Sequence, residues 1–166
     1  MKLLKHFLFI CLLWLNTSTI FAQTNAKVIR VVDGDTYQLQ SDNKVFTVRL
    51  ANVDAPESKQ QFGSEATKNV SALILHQNVL VTEMGKDRYN RTIGSISING
   101  MALDSVLICN GWAWHYAAYN DSKELAALQE LAIKKHLGLW KQGVKNVCLP
   151  SVFRKLSAAE KKKFSA

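Results

Sequence analysis

The sequence has few prolines, few cysteines and few long apolar runs. It has two prolines and three cysteines among 166 residues, and after residue 22 no apolar run is long enough to cross a bilayer. It contains no internal repeat and no low-complexity linker, which excludes a repeat array and a string of separate domains. His76, His115 and His136 have no metal-ligand spacing among themselves, so we read them as structural or surface residues. The length suffices for one domain with a real core.

The N-terminal residues differ in composition from the rest of the chain. Lys2 and Lys5 precede an apolar run over residues 7–15, and a polar patch then leads to the small residue Ala22. This pattern predicts a signal peptide over residues 1–22, cleaved after Ala22. Because the apolar run is too short to span a bilayer, we expect an exported protein, periplasmic or secreted, with no stable membrane anchor after cleavage.

Positive charge is concentrated at the C-terminal end, in residues 141–166, which we call the basic tail. Without the two leader lysines, 19 of the 21 basic side chains remain, against 13 acidic ones. The tail alone holds seven basic side chains and a single acid, Glu160. A polyanion would be attracted mainly by this tail. The alternative is that its lysines only solubilise a frayed end. Ser157 and Glu160 have the spacing of a capping box, which predicts a short helix there.

Two cysteines, Cys109 and Cys148, follow the predicted leader. In an oxidising compartment such a pair is a disulfide candidate, and the bond would tie the basic tail to the second predicted helix. Two free thiols are the alternative, because sequence spacing does not show how close the two side chains lie. The sequence leaves both open.

Hydrophobic periodicity predicts five short strands, with a helix between the third and the fourth. In chain order we predict strands 27–32, 36–40 and 44–51, helix 62–77, strands 78–84 and 91–98, and helices 103–110 and 122–137. We expect Asp104 to cap the second helix, Asp121 and Glu124 to form a capping box on the third, and Gly94 to mark a bulge. This order indicates an α+β protein with a mainly β core: a five-stranded Greek-key barrel of the OB-fold type with three helices, over residues 23–140.

Acidic residues cluster after two neighbouring turns. Asp33 and Gly34 alone would be explained as a tight turn between β-branched strands. A turn does not explain Asp35 directly after it, nor Asp54 and Glu57 at the end of the next hairpin. Carboxylates at the ends of neighbouring strands can hold an oxygen-preferring cation such as Ca²⁺ or Mg²⁺.

Arg49 lies on the strand between the two acidic clusters, and its planar guanidinium suits a phosphate group. Cation, guanidinium and spare carboxylate together indicate phosphodiester hydrolysis. A purely structural calcium site is the alternative, but it leaves Arg49, Glu57 and Arg91 without a task.

Three motifs, Asp33–Thr36, Arg49–Glu57 and Asp87–Arg91, occur in one order. With them the sequence resembles the staphylococcal nuclease (thermonuclease) family, from about Lys27 to Trp140. Its middle motif, an arginine followed five residues later by Asp-x-Pro-Glu, is highly specific. The resemblance implies a calcium-dependent endonuclease that hydrolyses DNA and RNA with little sequence preference and leaves 3′-phosphate ends. We expect it to be a monomer.

The resemblance also implies which residues hold the calcium ion. Asp35 and Asp54 correspond to the two calcium carboxylates, the backbone carbonyl of Ala55 to a third ligand, and Asp33 to an outer-shell carboxylate. The family often has threonine where this chain has Ala55, but a contact through the backbone tolerates the change.

The remaining roles concern the substrate. Glu57 corresponds to the carboxylate that holds the attacking water, and Arg49 and Arg91 to the guanidinium groups that neutralise the phosphate. We expect Arg49→Ala or Arg91→Ala to leave the fold intact and to lower turnover by orders of magnitude. Three residues are assigned to substrate binding: Tyr89, Tyr119 and Arg88.

The chain departs from the family in two places. The segment from Glu57 to Phe62 is several residues shorter than in the best-known member, which removes substrate contacts near Lys59. A second nucleoside-binding tyrosine is replaced by Ala117, and Tyr116 or Trp114 is the candidate substitute. The alternative function is a non-catalytic OB-fold module that binds nucleic acid. That reading predicts an eroded site, whereas the charged site residues are all present.

Overall fold

The first three strands form an antiparallel meander in the structure, a computed structural model that describes residues 22–165. β1 (Gln23–Val31) pairs with β2 (Thr36–Ser41), and β2 pairs with β3 (Lys44–Leu50). Apolar and polar residues alternate along these strands, so that one face of the meander is buried. The predicted period of two is confirmed here.

Two later strands close the sheet into a barrel. β5 (Asn78–Lys86) pairs antiparallel with β1 and with β6 (Thr92–Ile98), and β6 pairs in parallel with β3. A short β4 (Val53–Asp54) lies between β3 and the first helix. The predicted five-stranded OB-fold barrel is confirmed.

The predicted bulge near Gly94 is not on β6. Gly94 keeps the strand's alternation, and a Cβ there would lie 2.4 Å from the carbonyl oxygen of Thr82, so the glycine permits the close approach of β5. The register shift lies on β5 instead, between Glu83 and Gly85.

The helices and the remaining short elements complete the fold, and the two-residue strand that follows β6 pairs with it at the edge of the sheet. In chain order they are α1 (Gly63–Ile74), β7 (Met101–Ala102), α2 (Leu103–Cys109), β8 (Trp114–His115), α3 (Lys123–Lys134), α4 (Pro150–Phe153) and α5 (Ala158–Lys161), with single 3-10 turns over Gly138–Trp140, Val144–Asn146 and Lys162–Phe164.

Two of the predicted helix caps are wrong. Ser122, not Asp121, caps α3: its hydroxyl accepts a hydrogen bond from the Leu125 N–H at 3.2 Å. Asp104 lies inside the first turn of α2, and its carboxylate accepts from the Asn52 side chain instead. The capping box of Ser157 and Glu160 is present at α5.

The basic tail folds back onto the body of the protein. Phe153 and Cys148 are buried, and the Gln60 side chain donates to the Cys148 carbonyl oxygen. The Gln61 N–H donates to the carbonyl oxygen of Phe164 at 2.7 Å. The tail therefore packs against the loop that follows Glu57.

The structure describes little of the predicted leader, since residues 1–21 lie outside the described part. From residue 22 to residue 165, no helix is long and apolar enough to cross a membrane. Cys109 and Cys148 are both free thiols, so the second of the two alternatives holds in this structure.

Candidate active site

The site begins at the turn between β1 and β2. The Asp35 N–H donates to Asp33 Oδ1 at 3.0 Å, and the Tyr37 hydroxyl donates to the Gly34 carbonyl at 2.8 Å. A Cβ on Gly34 would lie 2.6 Å from the Cβ of Ala55. The turn thus packs directly on Ala55, which places the acids of the two loops side by side.

Arg49 joins the two acidic loops. Its Nε lies 3.1 Å from Asp35 Oδ1 and its Nη2 lies 3.0 Å from Asp54 Oδ1, while Nη1 donates to the carbonyl oxygens of Leu50 at 2.6 Å and Val53 at 2.7 Å. Only 12% of its side chain is exposed. One buried guanidinium therefore holds both carboxylates in place, and we call these three side chains the Arg49 cluster.

Burial sets the electrostatics of the two acids. It raises the pKa of Asp35 to about 7, against the opposing charge of Arg49, and the neighbouring Asp33 adds to the rise. Burial also raises the pKa of Asp54, against the opposing charges of Arg154 and Arg49. Burial therefore outweighs the positive charges that favour the ionised form of the two acids.

Such a donor set is compatible with a hard divalent cation. The acids offer carboxylate oxygens, and the backbone of Ala55 is adjacent, since its N–H donates to Asp35 Oδ2 at 2.6 Å. Between residues 22 and 165, no three His, Cys, Asp or Glu side chains are grouped to hold a metal. An ion at Asp35 and Asp54 would accordingly need backbone and water oxygens to complete its shell.

Glu57 lies next to the Arg49 cluster, and sequence reasoning missed its partner. Arg154 of the basic tail places Nη1 2.6 Å from Glu57 Oε1 and 3.5 Å from Asp54 Oδ1. Burial lowers the pKa of Arg154, but the hydrogen bond to Glu57 and the charge of Asp54 outweigh it and raise that pKa. The sequence gives no signal for this contact beyond the tail's excess of basic residues, in which Arg154 is one of seven.

Arg91 lies apart from these contacts. Its Nε and Nη2 both lie 2.7 Å from Asp87 Oδ2, and Asp87 Oδ1 accepts from the backbone of Tyr89 and of Arg91 itself. Strand pairing matches Arg49 with Ile93, and Arg91 directly precedes β6, two residues before Ile93. The structure therefore holds the Arg91 guanidinium on Asp87, outside the ion pairs of the Arg49 cluster.

The predicted substrate-binding residues are exposed. The ring of Tyr89, a residue 65% exposed, has the guanidinium carbons of Arg88 and Arg91 at 4.8 and 5.6 Å from its centroid. Tyr119 is 77% exposed, and its ring lies 4.6 Å from that of Tyr116. Exposed rings of this kind, one of them beside two cations, suit base stacking.

Comparison with known proteins agrees with the barrel. Residues 47–142 match the family described as staphylococcal nuclease homologue. A protein of Escherichia coli described as an uncharacterized endonuclease is 37% identical over 120 residues, which cover 72% of this chain and 78% of that protein. A Haemophilus influenzae protein of the same description is 35% identical over 134 residues, 80% of this chain and 74% of the relative. A micrococcal nuclease of Shigella flexneri is 34% identical over 131 residues, 72% and 75% of the two chains.

Fold and relatives together define an OB-fold domain of the nuclease class. The chain belongs to the staphylococcal nuclease family, as the three sequence motifs predict. Its nuclease relatives support a hydrolase that acts within nucleic-acid strands.

Proposed function

We propose that this protein is a calcium-dependent endonuclease that cleaves DNA and RNA with little sequence preference and leaves 3′-phosphate ends. The observation that carries the proposal is the Arg49 cluster, in which one buried guanidinium lies within 3.1 Å of Asp35 and 3.0 Å of Asp54. A binding module needs no such pair of buried acids, which are costly to keep unless they have a task.

The residues divide into an ion-binding half and a phosphate-binding half. Asp35, Asp54 and the Ala55 carbonyl would hold Ca²⁺. Asp33 would position Asp35, because its Oδ1 accepts a hydrogen bond from the Asp35 N–H at 3.0 Å. When bound, the ion supplies Lewis-acid stabilisation of the charge that builds on a phosphate oxygen.

In the phosphate-binding half, Glu57 holds the water molecule that attacks phosphorus. Arg49 donates to the phosphate as its negative charge increases, and Arg91 does the same after exchanging Asp87 for a phosphate oxygen. That exchange is feasible because 32% of the Arg91 side chain is exposed. The leaving group is the 5′-oxygen, and preorganised donors of this kind contribute about 3–4 kcal/mol each to the transition state.

Substrate and location are part of the same proposal. Tyr89, Tyr119 and Arg88 stack on or pair with nucleotides beside the cleaved bond. We further propose that the protein acts as a monomer and is exported, to the periplasm or the medium, because residues 1–22 have the composition of a signal peptide.

A plasmid-degradation assay with calcium, and then with a chelator, tests the proposal. We expect cleavage only with calcium, and loss of cleavage in Asp54→Asn but not in the control Asp42→Asn, which changes an exposed acid in the turn between β2 and β3. Nucleic-acid binding without cleavage would favour the binding module. Neither binding nor cleavage would favour a structural ion site, and full activity in chelator would refute the calcium requirement.

A further inference from the structure

The basic tail inserts one side chain among the site acids. Arg154 directly follows α4, and its Nη1 lies 2.6 Å from Glu57 Oε1 and 3.5 Å from Asp54 Oδ1. A single nitrogen atom thus contacts the acid proposed to hold water and one of the acids proposed to hold the cation. Charge at this point acts on the two acids as a bound ion would.

Packing fixes the backbone that carries this arginine. Phe153, the preceding residue, is 4% exposed, and Cys148, on the other side of α4, is buried while its carbonyl oxygen accepts from the Gln60 side chain. Gln60 itself is 1% exposed and lies three residues after Glu57. Because the loop of Glu57 packs against the tail through Gln60, the fold itself places Arg154 next to Glu57.

The positive charges of Arg154 and of a calcium ion would oppose each other at this site. Calcium lies about 2.3–2.6 Å from its oxygen ligands, so an ion on Asp54 Oδ1 would be within about 6 Å of Arg154 Nη1. At this separation, in a partly buried site, a divalent ion and a guanidinium repel each other. The arginine must therefore move away from Asp54 for the ion to bind at full strength. About 46% of the Arg154 side chain is exposed, which leaves it room to do so.

We propose that Arg154 is a positioning residue that acts through Glu57 and Asp54, holding both acids until a divalent cation displaces it. The inference rests on the proposed calcium-dependent function and goes beyond it. While Arg154 contacts Glu57, as it does in the structure, Glu57 is not available to hold the attacking water molecule. With an ion on Asp54, the contact of Arg154 with Glu57 would weaken and Glu57 would be free to hold water, so Arg154 would raise the calcium concentration needed.

Calorimetric titration of the full chain with CaCl₂, without substrate, tests the inference. We expect Arg154→Gln to bind calcium about tenfold more tightly than the wild type, because a repelling charge has been removed. Arg154→Lys, which keeps the charge, should bind calcium nearly like the wild type. The matched control is Lys155→Gln, which removes an equal charge from the exposed neighbouring residue and should change nothing. The calcium concentration for half-maximal cleavage should fall in Arg154→Gln by the same factor as the dissociation constant.

Other results would overturn the inference. Equal or weaker calcium binding by a folded Arg154→Gln would overturn it alone, and so would Arg154→Lys behaving like Arg154→Gln. Unchanged calcium affinity with lost turnover would make Arg154 a phosphate ligand instead. Absence of calcium binding in every variant, the wild type included, would overturn both this inference and the proposed function.

Discussion

Replacing Arg49 by alanine is expected to cost stability as well as turnover. The guanidinium that would be removed neutralises Asp35 at 3.1 Å and Asp54 at 3.0 Å and also serves two carbonyl oxygens. Removing one partner of a buried ion pair costs about 3–5 kcal/mol, because the other charges stay buried without compensation. In a domain of this size that lowers Tm by roughly 10–15 °C. Loss of a donor to the phosphate lowers turnover by a further factor of roughly 10²–10³.

Arg91→Ala provides the comparison. The Arg91 side chain is 32% exposed and its guanidinium pairs with Asp87, so its removal should change the free energy of unfolding by about 1 kcal/mol or less. Turnover should nevertheless fall as far as in Arg49→Ala. The two variants therefore separate a residue that holds the site together from one that acts only on the substrate. From the sequence alone both should leave the fold intact, and the buried contacts of Arg49 revise that expectation.

Urea unfolding in chelator and plasmid cleavage in calcium measure the two effects, with Arg30→Ala, at an exposed position of β1, as the control. Wild-type stability in Arg49→Ala would refute the idea that its guanidinium neutralises two buried acids. Near-normal turnover in Arg91→Ala, with metal dependence retained, would refute its assignment to the phosphate.

Three other variants test further parts of the structure. Gly63→Ala should lower both Tm and turnover, because the new Cβ would lie 1.9 Å from the carbonyl oxygen of Glu57 and must displace that loop. Tyr89→Ala should raise KM for single-stranded DNA by about tenfold with little change in kcat, since one stacked base contributes about 1–3 kcal/mol. Lys162→Gln combined with Lys163→Gln should flatten the salt dependence of single-stranded DNA binding by about 0.7 in log–log slope for each phosphate that the two lysines no longer neutralise.

Each of these has a matched control. Ser64→Ala, at the exposed neighbour of Gly63, should change neither Tm nor turnover, and equal effects in both variants would remove the steric argument. Tyr89→Phe keeps the ring and should keep KM, so a rise in KM there would favour the hydroxyl over stacking. Lys134→Gln with Lys135→Gln, on and after α3, should leave the salt slope unchanged. A slope that is also unchanged in the tail variant would make the tail lysines solubilising groups only.

The Arg49 cluster could be predicted from the sequence because its geometry is local. Asp35, Arg49 and Asp54 lie within one hairpin and the loop after it, and the pairing of Thr36 with Arg49 follows from strand alternation and a short turn. The sequence predicts the cap of α3 one residue too early, at Asp121 instead of Ser122. Serine and aspartate are both favoured at N-caps, so propensity does not separate two neighbouring candidates.

Arg154 could not be predicted in the same way. It is 97 residues from Glu57 in sequence, and the contact depends on how the tail packs around Gln60 and Phe153. No period or spacing records such packing. Charge counting therefore finds the tail's basic character but not the one side chain that enters the site.

Because β3 pairs in parallel with the distant strand β6, we expect the β2–β3 hairpin to form before the barrel closes. The hairpin of β2 and β3 assembles the acids from nearby residues, whereas Arg91 comes alongside only when the barrel seam between Val48 and Thr92 closes. Pairings between distant segments form late, because the loop-closure entropy must be offset first. A chain whose seam is still open would have its acids assembled without Arg91, so on the proposed mechanism we expect it not to cut nucleic acid. The rate at which cleavage activity returns during refolding would then measure the rate at which β3 pairs with β6.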